Sequence, residues 1–279
     1  MLQIPTITTN NGLKLPAIGF GTYQLKGALG VNAITSALNI GYRLLDTAFN
    51  YENEGTVGTA IKRSGIPREQ IIISSKLPGR HHHYQEALET IQESLYRAGL
   101  DYYDLYLIHW PNPKQGLYLE AWQALITAQK MGLVREIGVS NFLPEHIDHL
   151  IEQTGITPAV NQIELHPYFS ERQLRQYDQQ HHIVTWAWSP LGRANAVLKD
   201  PIIAGIAQDV NRSISQVILR WEIQIGVLPI PKSAHSIRQL ENYQIFDFEL
   251  SPAQVQTISN LDRADGRTQN QDPAEYEEF

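Results

Sequence analysis

The chain of 279 residues contains no cysteine. It can therefore form no disulfide bond, no thiolate nucleophile and no metal site with cysteine ligands. It also lacks any unbroken run of eighteen apolar residues, and its first residues do not combine a basic start with a long apolar stretch. From these absences we expect no membrane contact and a cytoplasmic location.

Positive charge is also scarce in this sequence. There are 22 Lys and Arg residues against 29 Asp and Glu residues, a formal net charge of -7. This balance argues against nucleic acid as a partner, although a local basic pocket for a small anion is compatible with it. Hydrophobic residues make up 42% of the chain, enough for one large core. We expect a single domain over residues 1–279.

Apolar runs typical of strands alternate with stretches of helical periodicity. A hairpin is predicted around the turn signal Asn10-Asn11-Gly12. The predicted strands then cover residues 17–20, 43–46, 71–76, 105–109, 137–140, 159–162, 183–188 and 227–231. The predicted helices cover residues 31–39, 53–64, 84–98, 117–130, 144–153, 171–180, 213–225, 236–243 and 252–261.

Nearly apolar strands separated by helices indicate a parallel sheet buried on both faces. Eight such units predict an α/β fold, a (β/α)8 TIM barrel with an N-terminal β-hairpin and a C-terminal extra helix and tail. An open doubly wound sheet is the alternative, but its fingerprint G-x-G-x-x-G occurs nowhere in the sequence. The polar tail, residues 262–279, cannot build core and is able to lie over a barrel end.

Ionisable residues end three of the predicted strands. Asp46, Lys76 and His109 each follow apolar residues directly, and Tyr51 lies in the loop five residues after Asp46. Because the carboxyl ends of parallel strands share one face, we expect these four side chains to meet. Each has an ordinary structural alternative, such as a helix cap for Asp46 or simple packing for Tyr51. A catalytic role is therefore inferred only from the four residues together.

This set of side chains is suited to carbonyl reduction or its reverse. A phenol is a poor acid at neutral pH, but an adjacent ammonium such as that of Lys76 stabilises its phenolate. A buried lysine needs a carboxylate to stay charged, and Asp46 is the candidate. A neutral His109 can hydrogen-bond a carbonyl oxygen while Tyr51 protonates it.

The histidine-rich stretches raise the question of a metal site. Consecutive residues such as His81, His82 and His83 seldom point at one ion, and His181 and His182 end a helix, where they favour its dipole. We therefore predict no metal.

With those residues in place, the sequence resembles the aldo-keto reductases, in particular the short prokaryotic group that includes the 2,5-diketo-gluconate reductases. The resemblance runs nearly end to end. It rests on the stretches LPAIGFGTY, GYRLLDTAFNYENEGTVG, SKLP, DYYDLYLIHWP, GLVREIGVSNF, NQIELHP, WSPLG and IPKSAHSIRQLENYQIFDFEL. It implies an NADPH-dependent oxidoreductase that reduces aldehydes and ketones by hydride transfer from nicotinamide C4. The family's catalytic tetrad falls on Asp46, Tyr51, Lys76 and His109, with Tyr51 as general acid.

The same resemblance implies a set of cofactor contacts. Those to the nicotinamide fall on Ser140, Asn141, Gln162 and Trp188, and those along the pyrophosphate on Ser189 and Leu191. Around the adenosine 2′-phosphate and the adenine they fall on Lys232, Ser233, His235, Arg238, Glu241 and Asn242. Cations beside a dianionic phosphate favour NADPH, with NADH as a weaker alternative.

For the substrate side, the resemblance implies a pocket lined by Tyr23, Phe49, Trp110 and His109, with Pro78 as a further candidate. We expect a small-molecule carbonyl compound as the substrate and a monomeric protein. Two rival functions remain: a Schiff-base lyase that uses Lys76, and a non-catalytic NADPH-binding sensor or regulatory subunit.

Overall fold

The computed structural model describes residues 4–194 and 196–279. An antiparallel hairpin comes first, formed by β1 (Thr6–Thr8) and β2 (Lys14–Pro16). Parallel strands follow in one sheet: β3 (Phe20–Gly21), β4 (Leu44–Asp46), β5 (Ile72–Leu77), β6 (Tyr103–Ile108), β7 (Val134–Ser140), β8 (Val160–Glu164), β9 (Val184–Trp188) and β10 (Leu228–Pro229).

Each strand from β3 to β10 pairs with the next one along the chain. The sheet closes because Gly19 N–H donates to Pro229 O at 3.0 Å and Gly21 N–H donates to Pro231 O at 3.1 Å. The two prolines have no N–H of their own, so one side of this seam supplies both donors. The predicted (β/α)8 barrel is confirmed.

Helices connect the strands on the outside of the barrel. They are α1 (Gly27–Ile40), α2 (Glu54–Ser64), α3 (Tyr84–Ala98), α4 (Tyr118–Lys130), α5 (Pro144–Thr154), α6 (Arg172–Gln180), α7 (Pro201–Asp209), α8 (Ile214–Gln224), α9 (Ser236–Tyr243) and α10 (Pro252–Ser259). Sequence analysis missed α7, although its start carries a cap: the Asp200 carboxylate accepts from Ile202 N and Ile203 N.

The predicted first strand, residues 17–20, needs a correction. Ala17 N–H donates to Pro5 O at 2.9 Å, which ties that residue to the hairpin, and the strand proper is limited to Phe20 and Gly21. The hairpin plugs the barrel. Leu15 of β2 is fully buried in a cluster with inward-facing residues such as Leu105 and Trp186.

The carboxyl ends of the strands define one mouth of the barrel, and the polar tail lies over it. In the described part of the chain, no helix is both long and apolar enough to cross a membrane. Barrel enzymes place their catalytic residues at the carboxyl ends of the strands. The mouth that the tail covers is therefore the candidate location of the active site.

Candidate active site

Asp46 and Lys76 form a buried ion pair at the ends of β4 and β5. Lys76 Nζ lies 2.8 Å from both carboxylate oxygens of Asp46 and donates to Thr47 O at 2.8 Å. An ammonium has three hydrogens, so all its donors are used. The Lys76 side chain is 0% exposed. The structure therefore contains the predicted pairing of Lys76 with a carboxylate.

Tyr51 lies beside this pair, in a short turn of 3-10 helix after β4 (Phe49–Tyr51). Its ring centroid is 5.1 Å from Lys76 Nζ and 6.0 Å from the centroid of the His109 ring, which it meets nearly edge-on. No described residue hydrogen-bonds the Tyr51 hydroxyl group. The structure brings the four predicted catalytic side chains together at one mouth.

The pKa of Tyr51 is shifted in a direction that differs from the one the sequence predicts. Burial, followed by the negative charges of Asp46 and Glu278, raises the pKa of Tyr51 well above its usual range. The sequence predicts the opposite direction, because an adjacent ammonium such as that of Lys76 acidifies a phenol. Burial also lowers the pKa of Lys76 itself, against the opposing attraction of Asp46. Desolvation is the largest cause of both shifts.

His109 follows β6 and faces an acidic residue that sequence analysis did not select. His109 Nδ1 lies 2.7 Å from Glu278 Oε1, an ion-pair distance, although the N–H direction is not aligned for a hydrogen bond. This contact leaves Nε2 as the ring nitrogen available to a substrate. The tail therefore enters the mouth beside the predicted catalytic histidine.

The strap, which we define as residues 276–279, is anchored to loops that follow neighbouring strands. The Asn112 side chain makes two hydrogen bonds with the Glu278 backbone, to its O at 2.8 Å and from its N at 3.0 Å. Lys114 N donates to Glu277 Oε1 at 2.7 Å. Gly79 has no room for a side chain, since an added Cβ would lie 2.7 Å from Glu278 O.

The predicted nicotinamide contacts form one hydrogen-bonded network. Ser140 Oγ donates to Gln162 O at 2.8 Å, and Gln162 Nε2 donates to Asp46 Oδ1 at 2.9 Å. Asn141 accepts from Trp188 Nε1 at 2.7 Å and donates to His109 O at 2.9 Å. Amide and hydroxyl groups of this kind are suited to a carboxamide. The network therefore joins this region directly to the tetrad.

Trp188 ends β9 and is partly exposed, so one face of its indole ring can support a flat ring. Ser189, next in the chain, has a positive φ of 52° and starts the turn that contains Leu191. Leu191 packs against the hydrophobic core. Arg193 lies with its guanidinium carbon 5.8 Å from the centre of the Trp188 ring. Sequence analysis did not select this arginine, which carries the positive charge nearest to that ring in the turn.

The predicted phosphate end lies after β10 and at the start of α9. Lys232, His235 and Arg238 are exposed, and within residues 4–194 and 196–279 neither Lys232 nor Arg238 forms an ion pair. Ser233 is buried, and its Oγ accepts from His235 N at 3.1 Å. Unpaired cations beside a helix N-terminus suit a phosphate dianion.

The adenine-side candidates lie on α9. Glu241 is partly exposed and Asn242 is buried. Residues from the end of β10 through α9 thus form one edge of the mouth, beside the Trp188 turn. The donor set of the mouth fits an NADPH molecule, with cations after β10 and neutral amides at the ends of β7 and β8.

The predicted substrate wall is only partly assembled around Tyr51. Tyr23 is half exposed, and its ring centroid lies 5.0 Å from that of Tyr51. Trp110 is buried beneath the strap, with its ring 4.5 Å from that of Tyr276. Phe49 instead packs against Arg97, whose guanidinium carbon is 4.0 Å from its ring centre. The structure does not bring Phe49 into ring contact with Tyr51.

Pro78, the further candidate, immediately follows β5 and precedes the Gly79 that binds the strap. The neighbouring histidines diverge: His81 Nδ1 lies 2.8 Å from Thr90 Oγ1, while His83 lies 3.5 Å from Glu120. Among the described residues, no group of three or more potential ligands is placed to hold a metal ion.

A cavity of about 700 Å³ lies at the other end of the barrel. It is lined by the hairpin, α6 and the residues before β9 and β10, including Thr8, Arg175 and Gly226. This end carries the amino termini of the strands, where barrel enzymes do not place their chemistry. We assign the cavity no role in the site.

Sequence analysis missed Glu278 and Tyr276 because nothing local distinguishes them from other polar tail residues. The only available signal was the expectation that the tail covers a barrel end. Which tail residue enters the mouth depends on contacts with loops that follow β4, β5 and β6.

Comparison with known proteins places this site in context. A sequence model of the Aldo/keto reductase family matches residues 17–263. The chain is 49% identical to 2,5-diketo-D-gluconic acid reductase B of Corynebacterium sp. (strain SHS752001), over 100% of both chains. It is 43% identical to methylglyoxal reductase DkgA of Yersinia pestis, over 94% of both.

Solved structures agree. A variant of Gox0644 in complex with NADPH superimposes with a TM-score of 0.93, at 38% identity and 98% coverage of both chains. A Bombyx mori aldo-keto reductase in complex with NADP gives a TM-score of 0.91, at 33% identity, covering 100% of this chain and 99% of that one. The fold and the length of these proteins match the present chain throughout.

Proposed function

The chain belongs to the aldo/keto reductase family, and on that premise we propose that Asp46, Tyr51, Lys76 and His109 are its catalytic residues. The protein is an NADPH-dependent oxidoreductase that reduces carbonyl groups. The observation that carries the residue assignment is the buried Asp46–Lys76 pair beside Tyr51 and His109 at the carboxyl ends of successive strands.

In this proposal Tyr51 protonates the substrate oxygen. Reduction of a carbonyl group turns its oxygen into an alkoxide, a stronger base than phenolate, so the proton moves downhill even from a phenol with a raised pKa. The Lys76 ammonium, 5.1 Å from the ring centre, stabilises the phenolate that is left. Asp46 keeps that ammonium charged and in place.

His109 positions the carbonyl group. Its Nδ1 faces Glu278, which leaves Nε2 to hydrogen-bond the carbonyl oxygen of a bound substrate. The protonating and positioning roles then belong to different residues, so that His109 does not compete with Tyr51 as the proton source.

Bound NADPH supplies the hydride. We propose that Ser140, Asn141 and Gln162 hold its carboxamide and that Trp188 supports its nicotinamide ring. Ser189 and Leu191 lie along the pyrophosphate. Around the adenosine, the proposed contacts are Lys232, Ser233, His235, Arg238, Glu241 and Asn242. The exposed, unpaired Lys232 and Arg238 support a preference for NADPH over NADH.

The Schiff-base alternative is disfavoured by the surroundings of Lys76. A lysine that attacks a carbonyl must present a free amine, but this one is fully buried and donates to Asp46 and Thr47. The non-catalytic sensor is disfavoured because the four catalytic side chains are present together. We further propose a monomer in the cytoplasm.

The test is loss of NADPH absorbance with a panel of neutral aldehydes and ketones, followed by the same assay with Tyr51→Phe. We expect this variant to lose turnover by about a thousandfold, the contribution typical of general acid catalysis. NADPH affinity, followed by quenching of tryptophan fluorescence, should be unchanged. Tyr23→Phe is the matched control, because it removes a neighbouring phenol that has no proposed proton to donate. Full turnover in Tyr51→Phe would remove the phenol from its role.

A further inference from the structure

The Glu278 side chain is held inside the mouth of the barrel by groups from two different loops. Gly79 N–H donates to its Oε2 at 2.9 Å, and Asn50 Nδ2 donates to its Oε1 at 2.8 Å. The residue is only 7% exposed. A carboxylate with dedicated donors and so little exposure occupies a built position, unlike a solvated surface side chain.

The backbone of Glu278 is fixed as well. Asn112 pairs with both its N and its O, and the ring of Tyr276 packs on Trp110. Neighbouring Glu277 takes a different direction, where its Oε1 accepts from Lys114 N outside the tetrad. The strap thus carries two consecutive acidic residues, of which one faces the catalytic side chains.

Glu278 is ionised in this position. Burial by itself opposes the charge, but the facing His109 and the hydrogen bonds from Gly79 and Asn50 outweigh it, and the pKa of Glu278 lies below its usual value. Its charge acts on the tetrad, since it contributes to the raised pKa of Tyr51. At neutral pH the mouth therefore contains a permanent negative charge.

The cations around this carboxylate do not neutralise it for an incoming ligand. Lys76 is committed to Asp46 and Thr47, and Arg80 lies outside, where it donates to Asn50 Oδ1 at 2.5 Å. Arg193 lies over the Trp188 ring and is exposed, so its charge is screened by solvent. In its proposed role His109 is an uncharged hydrogen-bond donor, so a second anion beside it meets the repulsion of Glu278.

We infer that Glu278 is a specificity-determining residue that selects substrates by charge: it disfavours carbonyl compounds with a carboxylate next to the reacting carbon, such as α-keto acids, and favours their neutral counterparts. This inference rests on the proposed function, which places the carbonyl oxygen between Tyr51 and His109. A carboxylate on the adjacent carbon then lies across the His109 ring from Glu278, at a separation of roughly 7 Å. Repulsion over that distance lowers kcat/KM by roughly ten- to a hundredfold.

The test uses two substrates that differ only in charge, methyl pyruvate and pyruvate, with NADPH oxidation as the readout. For the wild type we expect kcat/KM for the ester to exceed that for the acid at least tenfold. Glu278→Gln keeps the size of the side chain and removes the charge, so the ratio of ester to acid should fall by roughly tenfold or more. Glu277→Gln removes the adjacent charge in the same strap and should leave the ratio as it is.

The outcomes are separable. A ratio unchanged by Glu278→Gln, or shifted equally by Glu277→Gln, would overturn the inference while turnover of the ester keeps the proposed function intact. If the wild type turns over neither the ester nor any neutral aldehyde, the proposed function itself fails. A truncation after Glu275 supplies a second variant. It removes the Glu278 carboxylate together with the strap, so the ratio of kcat/KM for the ester to that for the acid should also fall. A truncated protein that kept the wild-type ratio would speak against Glu278.

Discussion

At the same mouth of the barrel Asp46 faces Lys76 and Glu278 faces His109, and these two pairs are built in different ways. Asp46 and Lys76 lie on the neighbouring strands β4 and β5, and their side chains are 6% and 0% exposed. Glu278 reaches His109 from the strap, and these side chains are 10% and 13% exposed. The former pair is part of the barrel itself, whereas the latter joins a strand end to a separate segment.

This difference in construction suggests different roles for the two pairs, one in the reaction itself and the other in the choice of substrate. When both partners of a pair lie on strands, their relative position can change only if the sheet is disturbed. Such a pair suits a function common to the whole family. A pair that depends on a strap can be altered through loop contacts such as those of Gly79, Asn50 and Asn112 without touching the barrel. We therefore expect changes in the strap to alter which carbonyl compound reacts, and changes in the strand pair to abolish reaction.

The largest expected effect comes from breaking the strand pair with Lys76→Met. This change leaves the Asp46 carboxylate buried without a cation, which costs about 3–5 kcal/mol in the free energy of unfolding. Without the ammonium the Tyr51 phenolate is not stabilised, so kcat/KM should fall by about a thousandfold or more. Urea denaturation and NADPH oxidation measure the two effects.

The double variant Asp46→Asn/Lys76→Met separates these consequences. It removes both charges, so most of the lost stability should return while activity stays lost. If Lys76→Met alone were as stable as the wild type, the pair could not be the buried interaction described here.

An effect of intermediate size is expected from His82, which lies in the loop after β5 that also binds the strap through Gly79. Burial lowers the pKa of this histidine to about 4. Neither of its ring nitrogens has a hydrogen-bond partner among the described residues. The unfolded chain takes up this proton near its ordinary pKa of about 6.5, while the folded protein does so only near pH 4. Stability from this source is therefore present above pH 6.5 and falls by about 3 kcal/mol as the pH drops to 4.

His82→Leu should remove this dependence, measured as the difference from the wild type in unfolding free energy between pH 7 and pH 4. His83→Leu is the matched control, because the side chain of His83 is 62% exposed. The difference measurement matters because burial raises the pKa of Asp178 to about 7, which acts in the opposite direction over the same range. Equal pH slopes in His82→Leu and the wild type would contradict the assignment.

The smallest expected effect comes from loosening the strap with Asn112→Ala. The loss of two hydrogen bonds to the Glu278 backbone should cost roughly 1–2 kcal/mol of strap docking, with little change in the thermal midpoint of the barrel. Amide exchange at Glu278 should become about tenfold faster. Asn11→Ala, which removes a 2.9 Å hydrogen bond to Glu136 near the hairpin, should not change that rate. Unchanged exchange in Asn112→Ala would mean that the strap is held by other contacts.

Much of the barrel could be predicted from local pattern. Apolar runs of strand length and glycines after helices, such as Gly65 and Gly99 with φ of 67° and 62°, were sufficient to locate most elements. The first strand was misplaced because its residues alternate between the hairpin and the closing seam, a division that depends on Pro5 and Pro229. Helix α7 was missed although Asp200 and Pro201 form a recognisable start.

The meeting of Asp46, Lys76 and His109 could be predicted because each ends an apolar run, and parallel strands bring such ends together. Tyr51 lies in the turn after β4, so its approach depends on that loop. The cofactor and pocket residues came from family resemblance, and they stay predictions. For Phe49 the structure shows a ring that packs against Arg97.

Two features were decided by tertiary structure alone. The distribution of the Lys76 hydrogens over Asp46 and Thr47 follows from the relative positions of two strands, which no sequence spacing specifies. The entry of Glu278, in place of Glu277, depends on loops that follow three different strands. Local periodicity determines elements because it acts between neighbours in the chain, whereas these contacts join segments far apart and exist only once the barrel has formed.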